Sequence, residues 1–203
     1  MKGARNTIIS AAIELFARKG YAGSSIREIC HAAGITKPVL YYHFNSKEHL
    51  YRELMLDIFN QTRKNLLHLS QIRGSLRDCL VFYVSSEFRN CKRDPDSVRL
   101  LFRMMFSPEG DYPQFNFVEE FKRERAVIAE FIGKKARKGG KVNPELISGS
   151  IMGMMLIQIL EYFFTGRRTL SRRTAEELVD LILPSSFAAG KAIPIGKERG
   201  NRL

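Results

Sequence analysis

The segment Ser25-Ile26-Arg27-Glu28-Ile29-Cys30-His31-Ala32-Ala33-Gly34-Ile35-Thr36-Lys37-Pro38-Val39-Leu40-Tyr41-Tyr42-His43-Phe44 leaves this chain fewer options than any other part of it. Ser25 followed three residues later by Glu28 fits a capping box, in which each side chain satisfies the other residue's free amide. Ala33 is small where two helices must approach, and Gly34 can take the left-handed turn position that costs other residues energy. Pro38 falls in the first turn of the next helix, where a missing amide does no harm. Ile29, Ile35 and Leu40 can then close a small apolar cluster beneath the turn. The product is a helix, a tight turn and a short second helix, the helix-turn-helix pattern.

The remainder also reads as helix, so the fold class is all-α, with about nine helices. No segment shows the sustained period-two alternation of a strand. A first helix over about 5–19 places Ile8, Ala12, Leu15 and Phe16 on one face and stops at Gly20. A fourth begins at Asn45 or Ser46, with Asn45 able to cap it, and continues through Leu50, Leu54, Ile58 and Leu66. Further helices follow over about 75–90, 94–106 and 117–138, the last stopped by Gly139-Gly140. Asn143-Pro144 opens an apolar helix to about 166. Ser171 or Thr174 opens the last, with Thr174 and Glu177 as another possible box and Pro184 as its limit. The first three helices are too short for a core of their own and need the fourth. The division expected is a three-helix unit over 1–50, a larger helical unit over 51–190 and a basic, disordered tail over 191–203.

Composition narrows the function. The 203 residues carry 33 Lys and Arg against 21 Asp and Glu, a formal charge of +12, and 44% are apolar. That apolar share is ordinary for a globular protein. The basic balance permits a nucleic-acid or acidic-membrane partner without choosing one. Residues 1–50 hold seven basic and three acidic residues, so the excess is not confined to that end. Cys30, Cys79 and Cys91 make no disulfide framework, and neither they nor His31, His43, His49 and His68 have a metal-ligand spacing. No metal and no cofactor is expected. No HExxH, GxSxG, phosphate loop or dinucleotide fingerprint points to an enzyme. No secretory apolar core opens the chain, which suggests a cytoplasmic protein. The greasiest stretch, 146–164, is interrupted by Ser148, Ser150, Gln158 and Glu161. A span needs about 20 mostly apolar residues. A buried packing helix is expected there instead, and no membrane partner.

Residues 9–50 closely resemble the DNA-binding domain of TetR-family transcriptional regulators. The resemblance rests on Ala11-Ala12, Glu14-Leu15-Phe16, Gly20-Tyr21, Ser25-Ile26-Arg27-Glu28-Ile29, Ala33-Gly34-Ile35, Leu40-Tyr41, His43-Phe44 and Lys47-Glu48 at fixed spacing. It implies double-stranded DNA as partner, with the second helix of the pair in the major groove. Thr36, at the start of that helix, suits a phosphate. Lys37 can reach a guanine acceptor or a phosphate, and Pro38 and Val39 offer apolar contact to a thymine methyl. Tyr41, Tyr42 and His43 are placed for phosphates, Lys47 adds a charge, and Arg27 can reach the backbone or a base. Phe44 reads as core. Tyr41 reads as a phosphate contact with a partly packed ring.

The same resemblance implies that the larger unit binds a ligand and dimerises. Two-fold DNA sites require recognition helices about 34–36 Å apart. A homodimer through the last two helices (about 144–165 and 172–187) would supply that symmetry, with a small-residue stripe at Gly149, Ser150, Gly153 and Met154 and an apolar face at Leu178, Leu181 and Ile182. Among the many Phe and Met residues of the central helices, some would line an inducer pocket. The set expected is Phe59, Arg63, Tyr83, Phe102, Phe106, Phe121, Arg125, Met155, Gln158 and Tyr162, with Arg63, Arg125 and Gln158 orienting a polar head. The basic runs at 134–141 and 167–173 read as solvated helix ends. The function implied is a ligand-responsive regulator, most simply a repressor released from a palindromic operator by a small, largely apolar inducer. Two alternatives stay open: a sequence-neutral architectural DNA binder, and a helical enzyme without a recognisable motif.

Overall fold

In a computed structural model, residues 2–69, 72–108, 111–136 and 142–183 are described, and they form nine α-helices and no strand. These are α1 (Lys2–Lys19), α2 (Ile26–Ala33), α3 (Lys37–His43), α4 (Lys47–Leu69), α5 (Leu76–Arg93), α6 (Pro95–Met105), α7 (Phe117–Ala136), α8 (Pro144–Thr165) and α9 (Arg172–Ile182). The tail after 190, the Gly139-Gly140 stop, Pro184 and the last residues of the expected dimer helix lie outside the described residues.

Local chemistry sets the helix ends. Ser25 Oγ accepts from the Glu28 amide at 3.2 Å, and Glu28 Oε2 accepts from the Ser25 amide at 2.8 Å. Gly34 ends α2 at φ 63° and ψ 34°, the left-handed region where a Cβ is strained. Asp94 and Asn143 cap α6 and α8, each followed by a first-turn proline. Three ends differ from the sequence reading. Ser46, not Asn45, caps α4 by accepting from the His49 amide, while the Asn45 amide donates to His49 Nδ1. Ser171 caps α9 and leaves Thr174 inside the first turn, so no Thr174–Glu177 box forms. A box at Ser75 and Asp78 starts α5, a pairing not anticipated above.

Two apolar cores result. The first joins α1, α2 and α3 to the first turns of α4: Ile8, Ala12, Phe16, Ile29, Leu40, Phe44, Leu50, Tyr51 and Leu54 are all sealed from solvent. It does not stop at residue 50. It runs on to Phe59 and takes in Leu100 and Met104 of α6. The second is built by α5, α7, α8 and α9 around Leu80, Val84, Phe88, Ile128, Ile132, Ile151 and Val179. Polar clamps tie the first core to its surroundings. Arg5 reaches Glu53 and Asp57 on α4, both at 2.9 Å. Arg103 of α6 donates to the carbonyls of Ala17 and Arg18 at the end of α1, at 3.3 and 3.1 Å. In the second core, Arg77 grips Asp180 through two bonds of 2.5 and 2.7 Å.

The α8 helix differs from the buried helix expected. Ile147, Ser148, Ile151 and Met155 face inward, but Leu146, Ile157 and Phe164 are 66%, 58% and 75% exposed. Among the described helices, α8 alone is long and apolar enough to cross a membrane, and only 22% of its apolar stretch is buried within the chain. Apolar residues circle the helix, whereas this chain covers only one side of it. Gly149 belongs to the covered side, since a Cβ there would meet Arg125 Cδ of α7 at 3.8 Å. Gly153 faces open space, so the two glycines do not form one outward stripe.

The Ser25 cap is testable through stability. Ser25→Ala removes an N-cap and lowers unfolding free energy by about 1 kcal/mol in urea titrations at pH 7. Glu28 is held down at about 2, first by Lys19 and then by the Ser25 bonds, from an ordinary value of 4.5. A carboxylate with a depressed folded value stabilises above its unfolded value and loses that contribution as pH falls through the folded one. The stability difference between wild type and Glu28→Ala therefore shrinks from pH 4.5 down to about 2. A difference unchanged across that window would contradict the assignment.

Candidate nucleic-acid interface and ligand cavity

The α3 helix is short and two-sided. Leu40 is fully buried and Phe44, its cap residue, nearly so. The rest turns outward: Lys37 and Pro38 are exposed, as are Val39, Tyr41 and, at 69%, Tyr42. Phe44 is core, and Tyr41 is nearly half exposed. Thr36 occupies the N-cap position, yet its hydroxyl makes no capping bond. His43 is half-buried, with its ring edge-on to Tyr42 at 5.1 Å. Lys47 reaches back, its Nζ 4.1 Å from the centre of the Tyr21 ring. Burial there lowers its pKa, against an opposing pull from Glu28. Arg27 stands exposed on α2.

One group of residues escaped the sequence reading. Arg18 and Lys19 at the end of α1 share a shallow groove with Arg27, His31 and Lys37. Lys19 is 2.5 Å from Glu28. The signal was present in the two basic residues of the last α1 turn, which also suit the helix dipole. The face as a whole offers hydroxyls and cations suited to phosphates, and Lys37, Pro38 and Val39 on a protruding helix suited to base edges.

A cavity of about 430 Å³ lies between α4, α5, α6, α7 and α8, with Ile13 of α1 at its edge. Tyr83, Phe102, Phe121 and Met155 line it, together with Ile58, Leu101, Met105 and Met152. The other six residues expected there are placed elsewhere. Phe59 belongs to the first core, stacked on Phe115 at 5.8 Å. Arg63 is held by Glu120 and Asn60. Phe106 is 70% exposed, because α6 has already ended before it. Arg125 turns to Glu145 at 3.5 Å. Gln158 lies where its carbonyl accepts from Thr169 Oγ1 at 2.7 Å, and Tyr162 packs edge-on against Phe163 at 5.2 Å.

The polar groups of the cavity were not foreseen. Asp57, Glu87, Asp94 and Glu124 line it, against Arg93 as the one basic residue. The Tyr83 hydroxyl donates to Glu124 Oε1 at 2.9 Å. Burial drives the Tyr83 phenol well above its ordinary value, with the Glu124 and Glu87 charges adding to the shift. Burial also raises Glu124, in spite of the Tyr83 bond and the Arg63 charge. Cys91 is pushed up to about 12 by burial and by Glu87. Among the described residues, no group of three or more His, Cys, Asp or Glu could hold a metal ion.

The family described as "Bacterial regulatory proteins, tetR family" matches residues 8–54. The chain is 41% identical over 56 residues to the biofilm operon icaADBC negative transcriptional regulator IcaR of Staphylococcus epidermidis, a match covering 28% of this chain and 30% of that protein. The similarity to that relative therefore spans less than a third of its length. Over 142 residues the chain is 25% identical to the transcriptional repressor KstR2 of Mycolicibacterium smegmatis, covering 70% of this chain and 69% of the repressor. In fold, it is similar to FadR of Bacillus subtilis, solved with stearoyl-CoA, with a TM-score of 0.69 and 15% identity, covering 87% of this chain and 96% of that one.

The exposed face separates two kinds of contact. Lys37→Ala should change which duplex sequences are preferred. Lys47→Ala should weaken binding to all duplexes and lower the slope of log affinity against log salt by about one unit. Competition titrations over a salt series check both, and wild-type affinity and slope in both variants would contradict the placement of the face.

Proposed function

We propose that this chain, whose residues 8–54 match the TetR family of bacterial regulatory proteins, acts in the cytoplasm as a dimeric repressor, released from a two-fold operator by a small, largely apolar ligand. The observation that carries this reading is the pairing of an outward α3 face with a largely apolar cavity between the helices of one chain. The contact residues proposed on DNA are Arg27, Thr36, Lys37, Pro38, Val39, Tyr41, Tyr42, His43 and Lys47. In the cavity they are Tyr83, Phe102, Phe121 and Met155. The reading head comprises residues 1–50 closed by the start of α4, and 51–190 form the ligand-binding and dimerising part.

A second copy of this chain is the proposed cover for the outer face of α8. Leu146, Ser150, Gly153, Ile157, Leu160 and Phe164 recur at alternating steps of four and three, the spacing of a helix seam. Leu181 of α9, 77% exposed, extends that face. Coupling to DNA runs through α6. It lends Leu101, Phe102 and Met105 to the cavity and Leu100 and Met104 to the first core, and Arg103 holds the end of α1. A ligand shifts DNA affinity only by its differential affinity for the two arrangements.

The direct test is selection of bound duplexes from random DNA, with and without ligand. A recovered two-fold motif whose occupancy falls with ligand is the result expected. Equal affinity for selected and random duplex would instead favour an architectural binder. Ile157→Glu puts a charge on the proposed seam and should yield a monomer in sedimentation, and a dimer of unchanged strength would place the interface elsewhere. Arg103→Ala should leave ligand affinity within about twofold while reducing the ligand-induced loss of DNA affinity.

A further inference from the structure

We propose that the ligand of this cavity is an apolar molecule with a cationic head, a lipophilic ammonium, and not an acyl anion. The inference rests on the reading of the cavity as the ligand site and adds the chemistry of what enters it. The walls are apolar and adaptable, with Met105, Met152 and Met155 beside the rings of Phe102 and Phe121. Among the described residues, their charge is mostly negative. Four carboxylates face the space and one guanidinium, that of Arg93, which donates to Asn90.

Each of the four carboxylates has a partner within the chain. Asp57 binds Arg5 at 2.9 Å, and Asp94 caps α6 through Ser97. The other two stand around the sealed phenol of Tyr83. Glu124 accepts its hydroxyl proton, and Glu87 lies one helical turn further along α5 and is 8% exposed. Arg63 acts on Glu124 from a distance but is bonded to Glu120 and Asn60. A carboxylate or thioester-phosphate head placed beside Glu87 and Glu124 would meet like charge in a poorly solvated site. An ammonium would instead meet two carboxyl groups beside the aromatic rings of Tyr83, Phe102 and Phe121, the group types that recognise quaternary ammonium ions. The chain as a whole is +12 and draws anions towards it, so a preference for cations would have to arise inside the cavity. The stearoyl-CoA in the B. subtilis FadR structure does not oppose this, since 15% identity carries the fold and not the lining.

The test uses the full-length dimer and three probes of equal chain length: dodecyltrimethylammonium, dodecanol and dodecanoate, with lauroyl-CoA as a fourth. Calorimetry below micelle-forming concentrations should find the ammonium bound about tenfold or more tighter than dodecanol, and dodecanoate weaker than dodecanol. Glu124→Gln keeps the shape and an acceptor for Tyr83, and should erase most of the ammonium preference while leaving dodecanol affinity unchanged. Glu87→Gln provides the same readout should the first variant fold poorly, and helicity with operator binding checks both. Dodecanoate or lauroyl-CoA binding as tightly as the ammonium would overturn the inference and leave a ligand-responsive regulator intact. An ammonium preference that both variants retain would overturn it as well. Tight ammonium binding without any change in operator affinity would uphold the cavity chemistry and overturn the proposed response.

Discussion

Leu100 and Met104 sit one turn apart on α6 and are buried in the core that also holds Phe16, Leu40 and Tyr51. Val98, Leu101, Phe102 and Met105 of the same helix line the cavity. One helix of eleven residues therefore belongs to two packed surfaces at once. Close-packed interiors do not deform smoothly, so a side chain displaced on one face of so short a rod is felt on the other. Arg103 ties α6 to α1. Its guanidinium holds two carbonyls at the end of α1, where a cation also complements the helix dipole. The Tyr51 hydroxyl adds a bond of 2.9 Å to Met104 Sδ from the α4 side. The first core is thus attached to the cavity wall through α6 as well as through α4, the helix that both halves share.

The reading head was legible in the sequence because each of its determinants is local. Ser25 with Glu28, the positive-φ Gly34 and first-turn Pro38 state their geometry within a few residues, and Leu40 and Phe44 follow from helical spacing. The cavity was not legible to the same degree, because five helices far apart in sequence decide it. Phe59 and Phe102 look alike as aromatic residues on amphipathic helices, but one stacks in the first core and the other faces the cavity. Phe106 shows the sensitivity to helix ends: α6 stops at Met105, and the next ring points to solvent. Glu87 and Glu124 were invisible for another reason. A charged residue in a helix is by default a solvent residue, and only the packing of α5 against α7 turns these two inward.

The basic surplus is distributed in a way that composition conceals. Lys134 pairs with Glu130, Arg167 with Glu161, Arg172 with Glu176 and Arg173 with Glu177. Lys135 binds the carbonyls of Ile72 and Gly74, closing the turn before α5. In the described part of the runs at 134–141 and 167–173, these charges support helices and turns, each exposed pair contributing little to stability. The local sign of charge is then set by placement: cations beside α3, where phosphates would lie, and carboxylates around Tyr83, inside a strongly basic chain.

The α8 helix completes the mechanical picture. Its inner residues Met152, Met155, Leu156 and Ile159 face the cavity, and its outer residues Leu146, Ile157 and Phe164 face away from the chain. Under the proposed function, a ligand in the cavity would be wedged between α6, which packs into the first core, and α8, which in the proposed dimer would lead to the mate. In that proposed dimer, separating those two helices would alter the angle between each head and the two-fold axis, and with it the spacing of the two α3 helices. A ligand that merely filled the cavity equally well in both arrangements would change nothing, however tightly it bound. The ligand must bind better to one separation of α6 and α8 than to the other. In this proposal the adaptable thioethers of Met105, Met152 and Met155 on those two helices would provide that difference, since they can repack around a bulky body while the Tyr83–Glu124 hydrogen bond holds a fixed point in the wall.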